Sequence, residues 1–274
     1  MKGSIDTEWV AFLAGKKPAL RRTVDPGQAE ALEARLRTAG ACVVRATEAA
    51  VFGGRAQVVV YAAKTMAEAE ALREAEATLL PGTRAYVSGA MGTQLARHRE
   101  VGARLGFPAC CVEVFCRRLT RGVDTLADGS ARGLAEDYVA VRDAWVARAD
   151  ARLNHLLFRA RVQLVSFYPC RYDCAEAIAY ADGVLAAVRA RHGDNAAREI
   201  VTALARPVVI APDGARAWVD LDASGEHIVG AAVITDDTRD DELARTLMDK
   251  HVRGDGAVEG IASGPVAPWL VGFK

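Results

Sequence analysis

Four of the six cysteines stand in two tight groups. "LGFPACCVEVFC" (105–116) carries Cys110 and Cys111 side by side, and "SFYPCRYDC" (166–174) carries Cys170 and Cys174 four positions apart. Each group follows a proline, Pro108 or Pro169, and precedes a helical pattern. A helix start offers unbonded backbone N–H groups and the positive end of the helix dipole. Both favour the thiolate, the form of cysteine that binds metals and attacks electrophiles. If the second helix begins near Arg171, Cys170 takes its N-cap and Cys174 lies one turn in. Proline-led helix starts are poor places for inert filler, so Cys110, Cys111, Cys170 and Cys174 are read as cofactor- and metal-binding residues. Cys42, inside a strand pattern, and Cys116, on an apolar helix face, read as small buried side chains.

The spacing bears on what is bound. A C-x₂-C…C-x₂-C ribbon would point to structural zinc, and that pattern is absent. Four thiolates at irregular spacing suit an iron–sulfur cluster of the 4Fe–4S type, whose cubane spans wider sulfur separations. Adjacent cysteines are expected to reach one small ion together only with difficulty. A variant therefore has three protein ligands, Cys170, Cys174 and one of Cys110 and Cys111, with an open iron acting as a Lewis acid. Zinc is the alternative cofactor, and a Cys170–Cys174 disulfide cycle is a third reading. Two classes of function follow. One is an enzyme doing redox or sulfur-transfer chemistry on a small anionic metabolite; the other is a zinc- or cluster-stabilised binding module without catalysis.

The strings "LGFPACCVEVF" and "SFYPCRYDCAEAIAYA" resemble an uncharacterised family marked by an L-G-Y/F-P-x-C-C element and a later P-C-small-x-x-C element. The likeness spans residues 92–181. It implies that the four cysteines are the marked positions, and it brings no activity with it. Arg171 departs from the small residue of that pattern.

Around the cysteines, His155, Arg171 and Arg117 are read as supporting the group or meeting a substrate. With them go Arg118, Arg121, Arg159 and Arg161, which can bind an anion or balance a cluster's charge if they converge. His98, His192, His227 and His251 have no companion at ligand spacing. "TDDTRDDE" (235–242) offers carboxylates to a hard cation, but acidic residues before and within a first helical turn are what the helix dipole favours. No G-x-G-x-x-G after a strand, P-loop, G-x-S-x-G or H-E-x-x-H is present, which disfavours the common nucleotide-dependent and hydrolytic classes.

Composition sets the frame. The 274 residues are 51% hydrophobic and 26% charged with zero formal net charge, the profile of a globular chain. Neither a nucleic-acid partner nor a membrane surface is expected at that charge balance. Arginine carries nearly all the positive charge, a bias that fits a GC-rich genome. No secretion signal and no membrane span is legible, so a cytoplasmic protein is expected, where clustered cysteines tend to be metal-binding or catalytic. A small-molecule substrate and an oligomer stay open.

The elements that must position the cysteines predict an α/β or α+β fold in three parts. Residues 1–91 read as a small α/β unit: a helix over Asp25–Gly40, strands at Ala41–Thr47 and Ala56–Lys64, a helix over Thr65–Leu80 with Thr65 as its N-cap, and a third strand at Thr83–Met91. Residues 92–195 form the helical, cysteine-bearing centre. Helices are expected at Gly92–Leu105, Cys111–Leu119, Leu134 to about Ala160 and Ala175–Arg191, with a short buried strand at Val162–Tyr168. Residues 196–274 read as a β-meander over Arg206–Thr235, a helix at Asp240–His251 and an irregular tail.

Overall fold

The computed structural model describes residues 5–52, 54–84, 91–120, 149–155, 157, 162–211, 215–234, 238–253, 257–259 and 269–272. The chain divides into two compact units, residues 8–128 and residues 129–274 with 1–7.

The first unit is a sheet with helices on both faces. Helix α1 (Thr7–Leu13) precedes β1 (Ala19–Val24), and a 3₁₀ turn at Pro26–Gln28 leads into α2 (Ala29–Thr38). Then come β2 (Cys42–Arg45), β3 (Ala50–Phe52), β4 (Arg55–Ala63) and α3 (Met66–Glu76). The antiparallel order is β1-β4-β2, with β3 pairing the other end of β4. Strand β4 is a near-continuous apolar run because both its faces are covered. Val59, Tyr61 and Ala63 face one core with Ala69 and Leu72 of α3; Val60 and Ala62 face another with Phe12 and Leu36. Thr65 caps α3 as expected, in a capping box with Glu68.

Strand β1 has no counterpart in the sequence reading, because "ALRRTV" puts two arginines in its middle. The strand tolerates them through ion pairs: Arg21 with the buried Glu76 at 2.7 Å, and Arg22 with Glu8, which also holds the buried Lys17. The expected strand at Thr83–Met91 falls mostly outside the described residues.

Helices α4 (Met91–Arg104) and α5 (Ala109–Thr120) form a tight hairpin. Gly102 is the contact point, since a Cβ there would meet Val112 Cγ2 at 2.5 Å.

In the second unit, helix α6 (Ala175–Ala205) covers the expected helical stretch 175–191, buries Ala177, Ala181, Val184, Leu185 and Val188, and runs on past a kink at Gly193 (φ 87°, ψ 169°). The long helix expected from Leu134 lies largely outside the described residues. Where its end is described, Ala151–Leu153 make a 3₁₀ turn instead, because the Asp150 carboxylate accepts the Arg152 N–H at 2.9 Å and closes a local cap. The apolar stretch at 162–168 is buried but forms no strand: its Val162, Leu164, Val165 and Phe167 are interior side chains on an irregular backbone.

The meander is present as β5 (Val208–Ile210), β6 (Arg216–Leu221) and β7 (Ile228–Val233), and the tail adds β8 (Trp269–Val271) beside β5. Leu243 of helix α7 (Thr238–Thr246) and Leu247, just past its end, pack on this sheet with Val219 and Ile228. The helix ends before the expected His251. Residues 249–252 hydrogen-bond to the chain around Ile228 instead, the Ile228 N–H donating to Lys250 and the Asp249 N–H to Ile228. No helix among the described residues is long and apolar enough to cross a membrane.

Candidate metal centre

The string "LGFPACC" is a helix stop followed at once by a helix start. Leu105 is buried in the core of the first unit. Gly106, at φ +74°, takes the left-handed position after α4, where the Gly106 N–H donates to Ala103 at 3.0 Å and the Phe107 N–H to Gly102 at 2.9 Å. That pair of bonds closes the helix end and suits glycine, which has no Cβ to strain at positive φ. A Cβ on Gly106 would also meet Pro18 Cδ at 2.7 Å. Phe107 packs onto the core beneath the Lys17 ammonium, 5.3 Å from its ring centroid. Pro108 then supplies the first carbonyl of α5, accepting from the Cys111 and Val112 N–H groups at 3.0 Å each. Cys110 and Cys111 therefore stand in the first turn of α5, their sulfurs 3.9 Å apart, Cys111 buried and Cys110 half-buried.

The second element differs from expectation. Helix α6 begins at Ala175, so Cys174 and not Cys170 is its N-cap (φ −63°, ψ 114°). Ahead of the helix, the Tyr172 carbonyl accepts from the Asp150 N–H at 2.9 Å. Residues 171–174 instead make a turn, with the Cys174 N–H donating to Arg171 at 3.2 Å, and the Cys174 carbonyl opens the helix by accepting from Ile178 at 2.9 Å. Cys174 is buried and Cys170 half-buried.

The Sγ atoms of Cys110, Cys111, Cys170 and Cys174 all lie within 4.8 Å of one another. Two buried and two half-buried thiols of this kind can hold a metal ion or a cluster. Adjacency does not keep Cys110 and Cys111 from facing the same point, because at a helix start consecutive side chains diverge by only about 100°. The other cysteines stand apart. Cys42 contacts the Lys64 carbonyl at 3.8 Å, and Cys116 is buried against the Leu95 carbonyl, where burial pushes its thiol up and away from the thiolate.

His155 lies against the cysteine loop through Tyr168 and Tyr172. Its ring is buried, stacks on Tyr172 at 5.7 Å between centroids, meets the edge of Tyr168 at 4.7 Å, and pairs through Nδ1 with the Tyr172 hydroxyl at 3.1 Å. Arg171 is exposed and forked onto Asp173, Nη2 to Oδ2 at 2.8 Å; that bond raises its already high pKa, with smaller contributions from Cys170 and Cys174. Arg117 lies on α5 seven residues beyond Cys110, about 10 Å along the axis, and is exposed. Arg121, Arg159 and Arg161 lie outside the described residues. Sequence reasoning missed Asp150, which bonds to the turn before α6, and Gly102 and Gly106, which seat α5. The L-G-F-P string was the available signal for Gly106; Asp150 had none.

Compared with models of protein families, with curated proteins and with solved structures, the chain matches none. Fold and site define a mixed α/β protein with a four-cysteine group able to hold a metal.

Proposed function

We propose that Cys110, Cys111, Cys170 and Cys174 bind one tetrahedral metal ion as thiolates, zinc first among the choices, and that the ion's role is to hold the two helix starts in place. The observation that carries this reading is the mutual sulfur separation of at most 4.8 Å. A metal–sulfur bond of about 2.3 Å in a tetrahedron sets sulfurs about 3.8 Å apart. The Cys110–Cys111 distance of 3.9 Å is already that edge. A 4Fe–4S cubane binds its cysteine sulfurs on four separate irons and so spaces them more widely than a single ion does; the group would have to open to take one. Four protein thiolates leave no coordination position for substrate, which is the pattern of a structural ion. The reading calls for a reducing compartment such as the cytoplasm, where thiols stay available.

A second reading rests on the uneven burial. Cys110 and Cys170 are half-buried while Cys111 and Cys174 are buried, so one edge of the group faces solvent. An iron–sulfur centre opened at that edge would expose an iron to a small anionic metabolite for redox or sulfur-transfer chemistry.

Anaerobic purification with zinc, iron and sulfide analysis separates the two. A colourless protein with stoichiometric zinc, lost in Cys174→Ser, supports the single ion. Broad absorption at about 400 nm with matching iron and sulfide overturns it in favour of the cluster. A protein that is metal-free, and stays so on reconstitution with either, overturns both.

A further inference from the structure

The second unit carries another donor set, unrelated to the cysteines and invisible in the sequence. His227 and His251 face each other across an antiparallel bridge, their ring centroids 5.2 Å apart. The backbone fixes this pairing from both sides: the Ile228 N–H donates to Lys250 at 3.0 Å and the Val252 N–H to Glu226 at 2.7 Å. The row continues outward at each end. The Asp222 N–H donates to the His227 carbonyl at 2.9 Å, and the Glu259 N–H to the His251 carbonyl at 3.0 Å. Backbone pairing thus lines up acid, histidine, histidine, acid.

The side chains follow the backbone. His227 Nδ1 lies 3.6 Å from Asp222 Oδ2, and His251 Nδ1 lies 3.4 Å from Glu259 Oε2. A carboxylate facing Nδ1 favours the tautomer with its proton there, which leaves the lone pair on Nε2. A carboxylate behind Nδ1 with a metal at Nε2 is the arrangement that orients metal-binding histidines and raises their basicity. The two histidines are half-exposed, so an ion from solvent can reach them without opening the fold.

We propose that His227 and His251 form a two-imidazole chelate for a borderline divalent ion, Zn²⁺, Ni²⁺ or Cu²⁺, with Asp222 and Glu259 positioning the rings through Nδ1. Imidazole donors suit these ions, and hard Mg²⁺ and Ca²⁺ prefer oxygen. The remaining coordination positions face water, so the ion is exchangeable and open to a further ligand.

The test is a Zn²⁺ titration of the full chain as purified, with long-range proton–nitrogen spectra reading each imidazole separately from the cysteine group. Expected is a joint shift of the His227 and His251 Nε2 resonances. His227→Gln should weaken zinc binding at the His251 ring at least tenfold, and Glu259→Gln about tenfold with the melting temperature unchanged. His192→Gln, on an exposed stretch of α6, should change nothing. Rings that do not move up to millimolar zinc, or a His251 response unchanged in His227→Gln, overturn the chelate. Neither outcome depends on what the cysteines bind.

Discussion

The Asp150 N–H donates to the Tyr172 carbonyl at 2.9 Å, two residues before Cys174, the cap of α6. The helix begins at Ala175, directly after Cys174, whose extended backbone (φ −63°, ψ 114°) makes it the cap. The Tyr172 side chain works in the same place, its hydroxyl 3.1 Å from His155 Nδ1 in a buried contact. Tyr172→Phe keeps the ring stack and removes this bond. The expected cost is about 1–3 kcal/mol of stability, since a buried polar group loses a partner. On the reading of His155 as a support, metal stoichiometry stays at the wild-type value. Loss of metal with no loss of stability would instead mark His155 or Tyr172 as part of the centre.

Gly102 seats the cysteine helix. A methyl group there would meet Val112 at 2.5 Å and 3.1 Å through its two γ-carbons, and Val112 adjoins Cys111. Being branched at Cβ, valine has few rotamers into which it can escape. Gly102→Ala should therefore cost about 1–3 kcal/mol by overpacking and weaken metal binding by shifting the start of α5. Adding Val112→Ala removes both clashing carbons. Calorimetry and metal affinity should recover together in the double variant; recovery of neither would place the damage elsewhere.

The residues explain how far the sequence could be read. Helix α3 was legible because Thr65 and Glu68 form a capping box, a contact three residues long. The three runs of the meander were legible because turn residues separate them. Strand β1 was hidden by Arg21 and Arg22, whose neutralising partners, Glu76 and Glu8, sit on other elements. The stretch at 162–168 looked like a strand because burial selects apolar residues whether or not a sheet is present. For the site, helix starts could be read from Pro108 and Pro169. That the two cysteine groups meet, and that His227 meets His251, depends on long-range placement that no local spacing encodes.

Acid should weaken the fold through named carboxylates. Burial alone would raise Glu33, but hydrogen bonds from Arg45 and Arg37 outweigh it and hold the group below 4.5. Asp150 behaves likewise: burial pushes it up, and the Arg152 hydrogen bonds carry it below 3.8. A carboxylate depressed in the folded state stabilises the fold above its unfolded pKa and loses that contribution as pH falls through the folded value. The melting temperature should thus decline as pH falls from about 5 toward 3. Glu33→Gln should start lower at neutral pH and decline less over that window. An equal decline in wild type and variant would remove Glu33 from the account.

The acidic run at 235–242 supplies a final test, because two carboxylates in it already have structural work. Asp240 is buried and accepts the Arg216 N–H at 2.8 Å, tying the first turn of α7 to the start of β6; Asp241 pairs with Arg245 at 2.6 Å. Residues 235–237 lie outside the described residues. Asp240→Ala leaves a buried backbone N–H without this acceptor and should cost about 1–3 kcal/mol, whereas Asp240→Asn keeps a carbonyl in reach and should cost less. If the carboxylates serve the fold and not a hard cation, millimolar Ca²⁺ leaves the wild-type melting temperature where it was. A calcium-dependent rise that Asp240→Ala abolishes would turn the run into a cation site.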